Sequence, residues 1–157
     1  MMTTIVVLAV MVLIALPSLA GLVRSSKVRG AQSELISSLM LARSEAAKRG
    51  VTVSVAASVP TSGSEFSAGW TVWIDANANG AIDSGETVIR SYPDIGTALS
   101  ISSSASAVPI SFASTGFLTP ATAVNFKVCA KNDTTKGYAI GLQPVGLADI
   151  NDQATCP

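Results

Sequence analysis

The sequence contains no histidine and only two cysteines among 157 residues. The lack of histidine excludes Ser-His-Asp and Cys-His catalysis and most catalytic zinc sites. Cys129 and Cys156 are too few for a zinc cluster or an iron–sulfur centre. These absences argue against an enzyme.

Charged residues are also scarce, at 13% of the chain, whereas 48% of the residues are hydrophobic. This charge content is about half the usual quarter, which argues against disorder. The length predicts one domain rather than two. Residues 24–49 carry six basic and two acidic groups, but residues 51–157 carry four basic and eight acidic groups. The acidic C-terminal body argues against a general phosphate-binding surface.

No charged residue occurs from Thr3 to Val23. At a helical rise of about 1.5 Å per residue, this segment would span roughly 30 Å, the thickness of a bilayer core. We therefore predict a transmembrane half-helix over residues 1–23, with these residues facing the membrane or a filament core: Ile5, Leu8, Val12, Leu16 and Pro17. A cleaved secretory signal is the alternative, because Ser18-Leu19-Ala20 before Gly21 has the pattern of a cleavage site.

An apolar stripe follows the uncharged segment. Its members recur every three or four residues, which predicts an amphipathic half-helix over residues 24–50. The basic pair Lys48-Arg49 followed by Gly50 is a helix stop. The simplest prediction is one long helix that packs this stripe on the domain that follows: Val28, Ala31, Leu35, Leu39, Ala42 and Ala46.

The hydrophobic period changes to two after Gly50, which is typical of strands with one buried face. The predicted fold class is therefore α+β, with a long helix on an antiparallel sheet of about seven strands in a head of residues 51–157. The predicted strands are Val51–Val55, Trp70–Ile74, Thr87–Tyr92, Ala98–Ser102, Val108–Phe112, Ala123–Ala130 and Tyr138–Leu142, with Val145–Ile150 as a further candidate.

A calcium-loop pattern, D-x-N-x-N-G-x₅-E, begins at Asp75 and ends at Glu86. It predicts side-chain oxygens, one backbone carbonyl and a bidentate glutamate as ligands, with Gly80 at the sharp turn. The alternative is a hairpin turn in which Asn and Asp side chains cap their own backbone. The predicted ligands are Asp75, Asn77, Asn79, Ala81, Asp83 and Glu86.

Cys129 ends a predicted strand and Cys156 is the penultimate residue. A disulfide between them would tie down the C-terminus, and it requires an oxidising compartment such as the periplasm. The alternative is two free thiols. Trp70 and Trp73 lie three apart on one strand and so face opposite sides. We expect both in the core, and partial exposure of one of them is the alternative.

Several segments together resemble the GspH/FimT group of type IV pilin-like proteins, the minor pilins and pseudopilins. The apolar run ending near Pro17 resembles the family's N-terminal helix. The Ala-Arg-x-Glu-Ala core within Leu35–Arg49 resembles its following segment, and Gly69–Asp75 resembles its Gly-Trp strand. Glu86–Arg90, Ile110–Gly116 and Cys129 also fit.

The resemblance implies a structural subunit that assembles with other pilins or pseudopilins on an inner-membrane platform, as part of a type IV pilus or a type II secretion machine. It also implies a single-pass membrane protein with its head in the periplasm. The family's basic leader and its Phe-Thr-Leu-Ile-Glu segment do not precede Met1. Alignment on Pro17 therefore leads us to expect a start five residues inside the mature protein.

DNA uptake is a second functional hypothesis, because some members of the group carry a Gly-Arg-x-Arg motif near the C-terminus. The matching place here reads Gly146-Leu147-Ala148-Asp149. Both arginines are missing, so we expect no DNA-binding residues, and we interpret Lys127, Lys131 and Lys136 as solvated lysines. A secreted β-domain with a calcium loop is the third hypothesis; it predicts a mature N-terminus at Gly21.

Overall fold

The computed structural model describes the backbone of residues 2–59, 65–105, 108–131 and 137–156. Within these ranges it does not describe the side chains of residues 2–20 and 152–154. The N-terminal part is a single helix, α1 (Met2–Arg49). Gly50 ends it with a φ of 68°, and its N–H donates to the carbonyl of Ala46 at 2.9 Å. The predicted long helix and its stop are confirmed.

Nine strands follow α1, in two antiparallel sheets. The first sheet has the order β3-β2-β1-β5-β6 and the second the order β4-β7-β8-β9. The strands are β1 (Val53–Ala57), β2 (Trp70–Ile74), β3 (Val88–Tyr92), β4 (Leu99–Ser103), β5 (Ile110–Phe112), β6 (Leu118–Thr119), β7 (Val124–Ala130), β8 (Gly137–Leu142) and β9 (Ala148–Ala154).

The fold class predicted from the sequence is confirmed, but the strand number and the single sheet need correction. β6 is only two residues long, too short to show an alternating pattern. The split into two sheets arises from long-range pairing: β1 pairs with β2 and β5, whereas β4 pairs with β7. Neither pairing is encoded in local periodicity.

The stripe of α1 packs against both sheets. All six of its predicted members are buried, at 0–6% exposure. They share one core with residues of both sheets, including Val55 and Val72 of the first and Phe126 and Ile140 of the second. The helix therefore closes the gap between two sheets that would otherwise expose their apolar faces.

The two tryptophans occupy opposite faces of the first sheet. Trp70 lies in the core shared with α1, where its ring stacks on Tyr92 at 5.0 Å. Trp73 pairs with Ser54 across β1 and β2, on the face away from α1. Both side chains are buried, at 0% and 1% exposure, as expected.

Candidate functional site

The described part of α1 projects beyond the head. From Gly21 to Lys27 the side chains are exposed apart from the half-buried Ser25, and the first buried member of the stripe is Val28. Leu22 and Val23 are 63% and 50% exposed. These adjacent apolar side chains are a candidate contact surface that continues the uncharged segment before them.

The residues predicted to face the membrane or a filament core lie further along this projection. They fall outside the side chains that the structure describes: Ile5, Leu8, Val12, Leu16 and Pro17. Over the part of the chain that is described, no helix is long and apolar enough to cross a membrane.

Arg43 joins α1 to both sheets. Its Nε donates to the carbonyl of Gly116 at 3.1 Å, and its side chain also lies against Gly146. The turns at these glycines contact each other, and the N–H of Leu118 donates to the carbonyl of Pro144 at 2.9 Å. Sequence reasoning missed this contact; its only local signal was a glycine in each turn.

A buried hydrogen bond fixes α1 on the first sheet. The indole Nε1 of Trp70 donates to the hydroxyl of Ser38 at 2.8 Å, and that hydroxyl donates to the carbonyl of Leu35 at 2.7 Å. Both side chains are fully buried. Ser38 is thus a polar member of the packed helix face, which a search for apolar periodicity does not find.

The predicted disulfide is present. Cys129 on β7 and Cys156 are joined across a sequence separation of 27, with their Cα atoms 5.9 Å apart. Gly137 of β8 lies beside the bridge, and a Cβ at that position would collide with both sulfur atoms. The glycine is needed because the bridge occupies the space where a side chain would stand.

The acidic loop, residues 75–86, connects β2 to β3. Its first residue, Asp75, is fully buried. One carboxylate oxygen accepts from the N–H of Asn79 at 3.0 Å, and the other accepts from the N–H of Gly80 at 2.9 Å and from the hydroxyl of Ser54 at 2.8 Å. The start of the loop is thus attached to the face of the sheet.

The remaining predicted ligands are held within the loop. The amides of Asn77 and Asn79 donate to one oxygen of Asp83 at 2.8 and 2.7 Å. These two hydrogen bonds hold the pKa of Asp83 below its ordinary value, and the one from Asn77 has the larger effect. Glu86 accepts from the N–H groups of Ala76 and Asp83, one on each oxygen.

Two features predicted for a capped turn are also present. The side-chain oxygens of Asn77 and Asn79 accept from backbone N–H groups two residues on, the second from Ala81. Gly80 has a φ of 75°. Among the described residues, no three acidic, cysteine or histidine side chains gather as a metal cluster. The predicted ligands are therefore brought into one loop, but their carboxylates do not converge on one point.

The segment 146–149, which matches the position of the Gly-Arg-x-Arg motif, is mainly apolar. Gly146 is buried, Leu147 is 51% exposed, and the neighbouring Val145 and Phe117 are 41% and 51% exposed. Asp149 is exposed, as are Lys127 and Lys131, whereas Lys136 lies outside the described residues. This turn presents hydrophobic side chains and a carboxylate.

The chain matches a protein-family model, and its fold is similar to solved structures. The family model described as type II transport protein GspH matches residues 31–146. The type IV minor pilin FimU of Pseudomonas aeruginosa is similar in structure, with a TM-score of 0.68 and 21% identity over 80% of this chain and 89% of that chain.

The minor pseudopilin EpsH of Vibrio cholerae is similar with a TM-score of 0.59 and 13% identity, over 80% of this chain and 97% of that chain. No curated protein matches the sequence. The family match covers most of the chain, and the crystal structures agree with it in fold. The chain therefore belongs to the GspH family of type IV pilin-like proteins, structural subunits that act as minor pilins or pseudopilins in the periplasm or in a pilus.

Proposed function

We propose that this chain is a minor subunit whose α1 packs into the core of a pilin-type filament, with the β-head on the outside contacting partner subunits at the tip. Before extraction into the filament, its N-terminal half anchors it as a single pass in the inner membrane, with the head in the periplasm. The inner-membrane assembly platform is its partner at that stage.

The observation that carries this proposal is the projection of α1. Residues 2–27 extend the helix by about 39 Å beyond the first buried residue of the stripe. Thr3 to Val23, about 31 Å of this projection, is uncharged, and an apolar rod of that length needs lipid or other apolar helices around it. Lipid surrounds the rod in the inner membrane, and other apolar helices surround it in the filament. It therefore stays out of water in both states.

The disulfide supports a periplasmic location for the head. Bridges of this kind form and persist in oxidising compartments such as the periplasm. Cys129 and Cys156 are bonded and both are buried, so the head is suited to that compartment.

The test is a charge placed inside the apolar rod, in the organism that makes the protein. We expect Val12→Asp to abolish recovery of the subunit in sheared pili or pseudopili, because a carboxylate in lipid or in a helix bundle is expensive. We expect a matched Thr97→Asp variant, which adds the same charge at an exposed position of the head, to retain assembly. The disulfide in both variants reports that the head has folded.

Two further readouts complete this experiment. If cells that carry Val12→Asp lose pilus-dependent motility but still export protein, the subunit belongs to a pilus. If they lose protein export but keep motility, it belongs to a secretion machine. The N-terminus of the membrane-extracted protein is determined by intact mass and Edman degradation. A mature N-terminus at Gly21 with no membrane association would overturn the proposal.

A further inference from the structure

We infer that the acidic loop binds one calcium ion. The oxygen donors occupy positions 1, 3, 5, 7, 9 and 12 of a 12-residue loop with glycine at position 6, the order used by calcium loops of the EF-hand type. The flanking elements here are strands rather than helices, so only the loop is shared. The ligands are Asp75, Asn77, Asn79, Asp83 and Glu86 by their side chains and Ala81 by its carbonyl.

Among the described residues, no basic side chain pairs with the buried carboxylate of Asp75. Its carboxylate is fully buried, and its hydrogen-bond donors are a hydroxyl and two backbone N–H groups. Buried charges in proteins are normally paired with an opposite charge or coordinated to a metal. Because three neutral donors only partly offset the loss of hydration, a cation at this position would stabilise the folded loop.

The segment that contains the loop carries no basic residue. Between Arg49 and Arg90 there are four acidic residues and no lysine or arginine. Arg90 follows the loop on β3, but its guanidinium lies over the ring of Tyr92 at 5.0 Å. The three loop carboxylates are therefore not neutralised by the protein in this segment, and a divalent cation is the species that their charge attracts.

The loop oxygens retain capacity for a metal while keeping their present hydrogen bonds. A carboxylate has about four acceptor positions. Each oxygen of Glu86 accepts one N–H, and Asp83 uses only one of its oxygens. The side-chain oxygens of Asn77 and Asn79 also accept one N–H each. Since these acceptors do not yet converge, the ion would draw them together rather than enter a finished cage.

The sheet beneath the loop holds it in place and contains an unsatisfied donor. The N–H of Asp75 donates to the carbonyl of Thr52 at 3.0 Å, and Gly80 lies so close to Pro109 that a Cβ would come within 2.8 Å of its ring. The indole Nε1 of Trp73 is buried without an acceptor among the described residues. Trp73 lies on the same face as Ser54, which binds Asp75, and buried donors are normally satisfied by a protein acceptor or by ordered water.

Calcium fits this donor set better than magnesium does. Calcium accepts six to eight oxygens in flexible geometry, including carbonyls and a bidentate carboxylate, whereas magnesium demands a near-ideal octahedron and retains its waters. Extracellular calcium modules have dissociation constants of about 0.1–1 mM, and we expect this loop to fall in that range or below it.

The test is calorimetric titration of Ca²⁺ into the full chain in detergent after metal removal, with thermal unfolding followed in parallel. We expect saturable binding of one ion per chain and a melting temperature that rises with Ca²⁺ and saturates; Mg²⁺ at about 10 mM should have little effect. Glu86→Gln and Asp83→Asn should each weaken Ca²⁺ binding at least tenfold. Neither carboxylate is buried, so both variants are expected to fold, and the intact disulfide checks this.

Asp94→Asn is the matched control. Asp94 is an exposed carboxylate in the next loop, and its removal changes the net charge by the same amount. We expect its Ca²⁺ affinity to stay within about twofold of the parent chain. The absence of saturable binding would overturn the proposal and leave a self-capped turn. Equal weakening in Asp94→Asn and Glu86→Gln would also overturn it, because binding would then be diffuse attraction to an acidic head.

Discussion

At the scale of single residues, the polar groups between α1 and the sheets are as important as the apolar stripe. Ser38 shows this, because its hydroxyl both accepts from Trp70 and donates to the helix backbone. We predict that Ser38→Ala lowers the free energy of unfolding by about 1–3 kcal/mol, since the indole N–H is left buried without an acceptor.

Chemical denaturation of the full chain in detergent checks this prediction. In a Trp70→Phe background, where no indole needs an acceptor, the same serine substitution should cost much less. A cost that is equal in both backgrounds would show that the hydrogen bond contributes nothing specific.

Tyr92 provides a pH-dependent prediction at the same scale. Burial raises the pKa of Tyr92 above its ordinary value of 10.0, and the nearby Arg90 opposes this only in part. A raised folded-state pKa means that the stabilisation is complete below pH 10 and is lost as the pH rises through the folded-state pKa. We therefore predict an alkaline loss of stability that Tyr92→Phe reduces. Denaturation between pH 9 and 12 measures it, and an unchanged alkaline loss in the variant would contradict the assignment.

At the scale of elements, the C-terminal strand β9 is an edge of the second sheet and depends on the disulfide that follows it. Closing a loop of 27 residues contributes about 3.5 kcal/mol in the chain-entropy treatment. We predict that replacing both cysteines by alanine lowers the free energy of unfolding by about 3 kcal/mol.

A reducing agent provides the control for the disulfide. It should destabilise the parent chain by a similar amount and leave the double-alanine variant unchanged. Destabilisation of the variant by the reductant would show that the reagent acts elsewhere in the protein.

The elements that could be predicted from the sequence are those whose signal is local. The α1 stripe follows a helical period, and seven of the strands overlap segments that strand-forming residues between turn signals predict, so their approximate positions were predictable. The position of the acidic loop was also predictable, because its pattern of Asp, Asn and Gly is linear. The burial of Asp75 was not, since it depends on Ser54 from another strand.

Long-range arrangements left no local signal. The division into two sheets depends on which strands pair across the chain, and the anchoring role of Arg43 depends on two distant turns that meet at α1. Phe66 is a further example: it lies in a segment without regular structure, yet its ring packs edge-on against Phe126 of the second sheet at 5.4 Å.

At the scale of the whole molecule, the charge distribution predicts weak interaction with nucleic acid. Residues 51–157 carry four basic and eight acidic groups, and the turn at Leu147 is apolar. We predict no salt-dependent binding of duplex DNA by the full chain in detergent at micromolar concentration, measured by fluorescence anisotropy between 50 and 200 mM salt.

The matched variant introduces two arginines at the positions of the Gly-Arg-x-Arg motif. Leu147 and Asp149 are both exposed, and changing both to arginine should introduce detectable binding that weakens with salt. Salt-dependent binding by the parent chain itself would contradict the prediction and favour a role in DNA uptake.

The continuity of α1 has a mechanical consequence. The same helix that projects from the head also forms one wall of its core, and Arg43 and Ser38 fasten it to both sheets. Tension applied to the N-terminal end would pass along the helix axis and reach the head as shear between the stripe and the sheets. All the packed side chains of the stripe would then resist that load together, whereas a pull at the edge of a sheet would open its hydrogen bonds one after another.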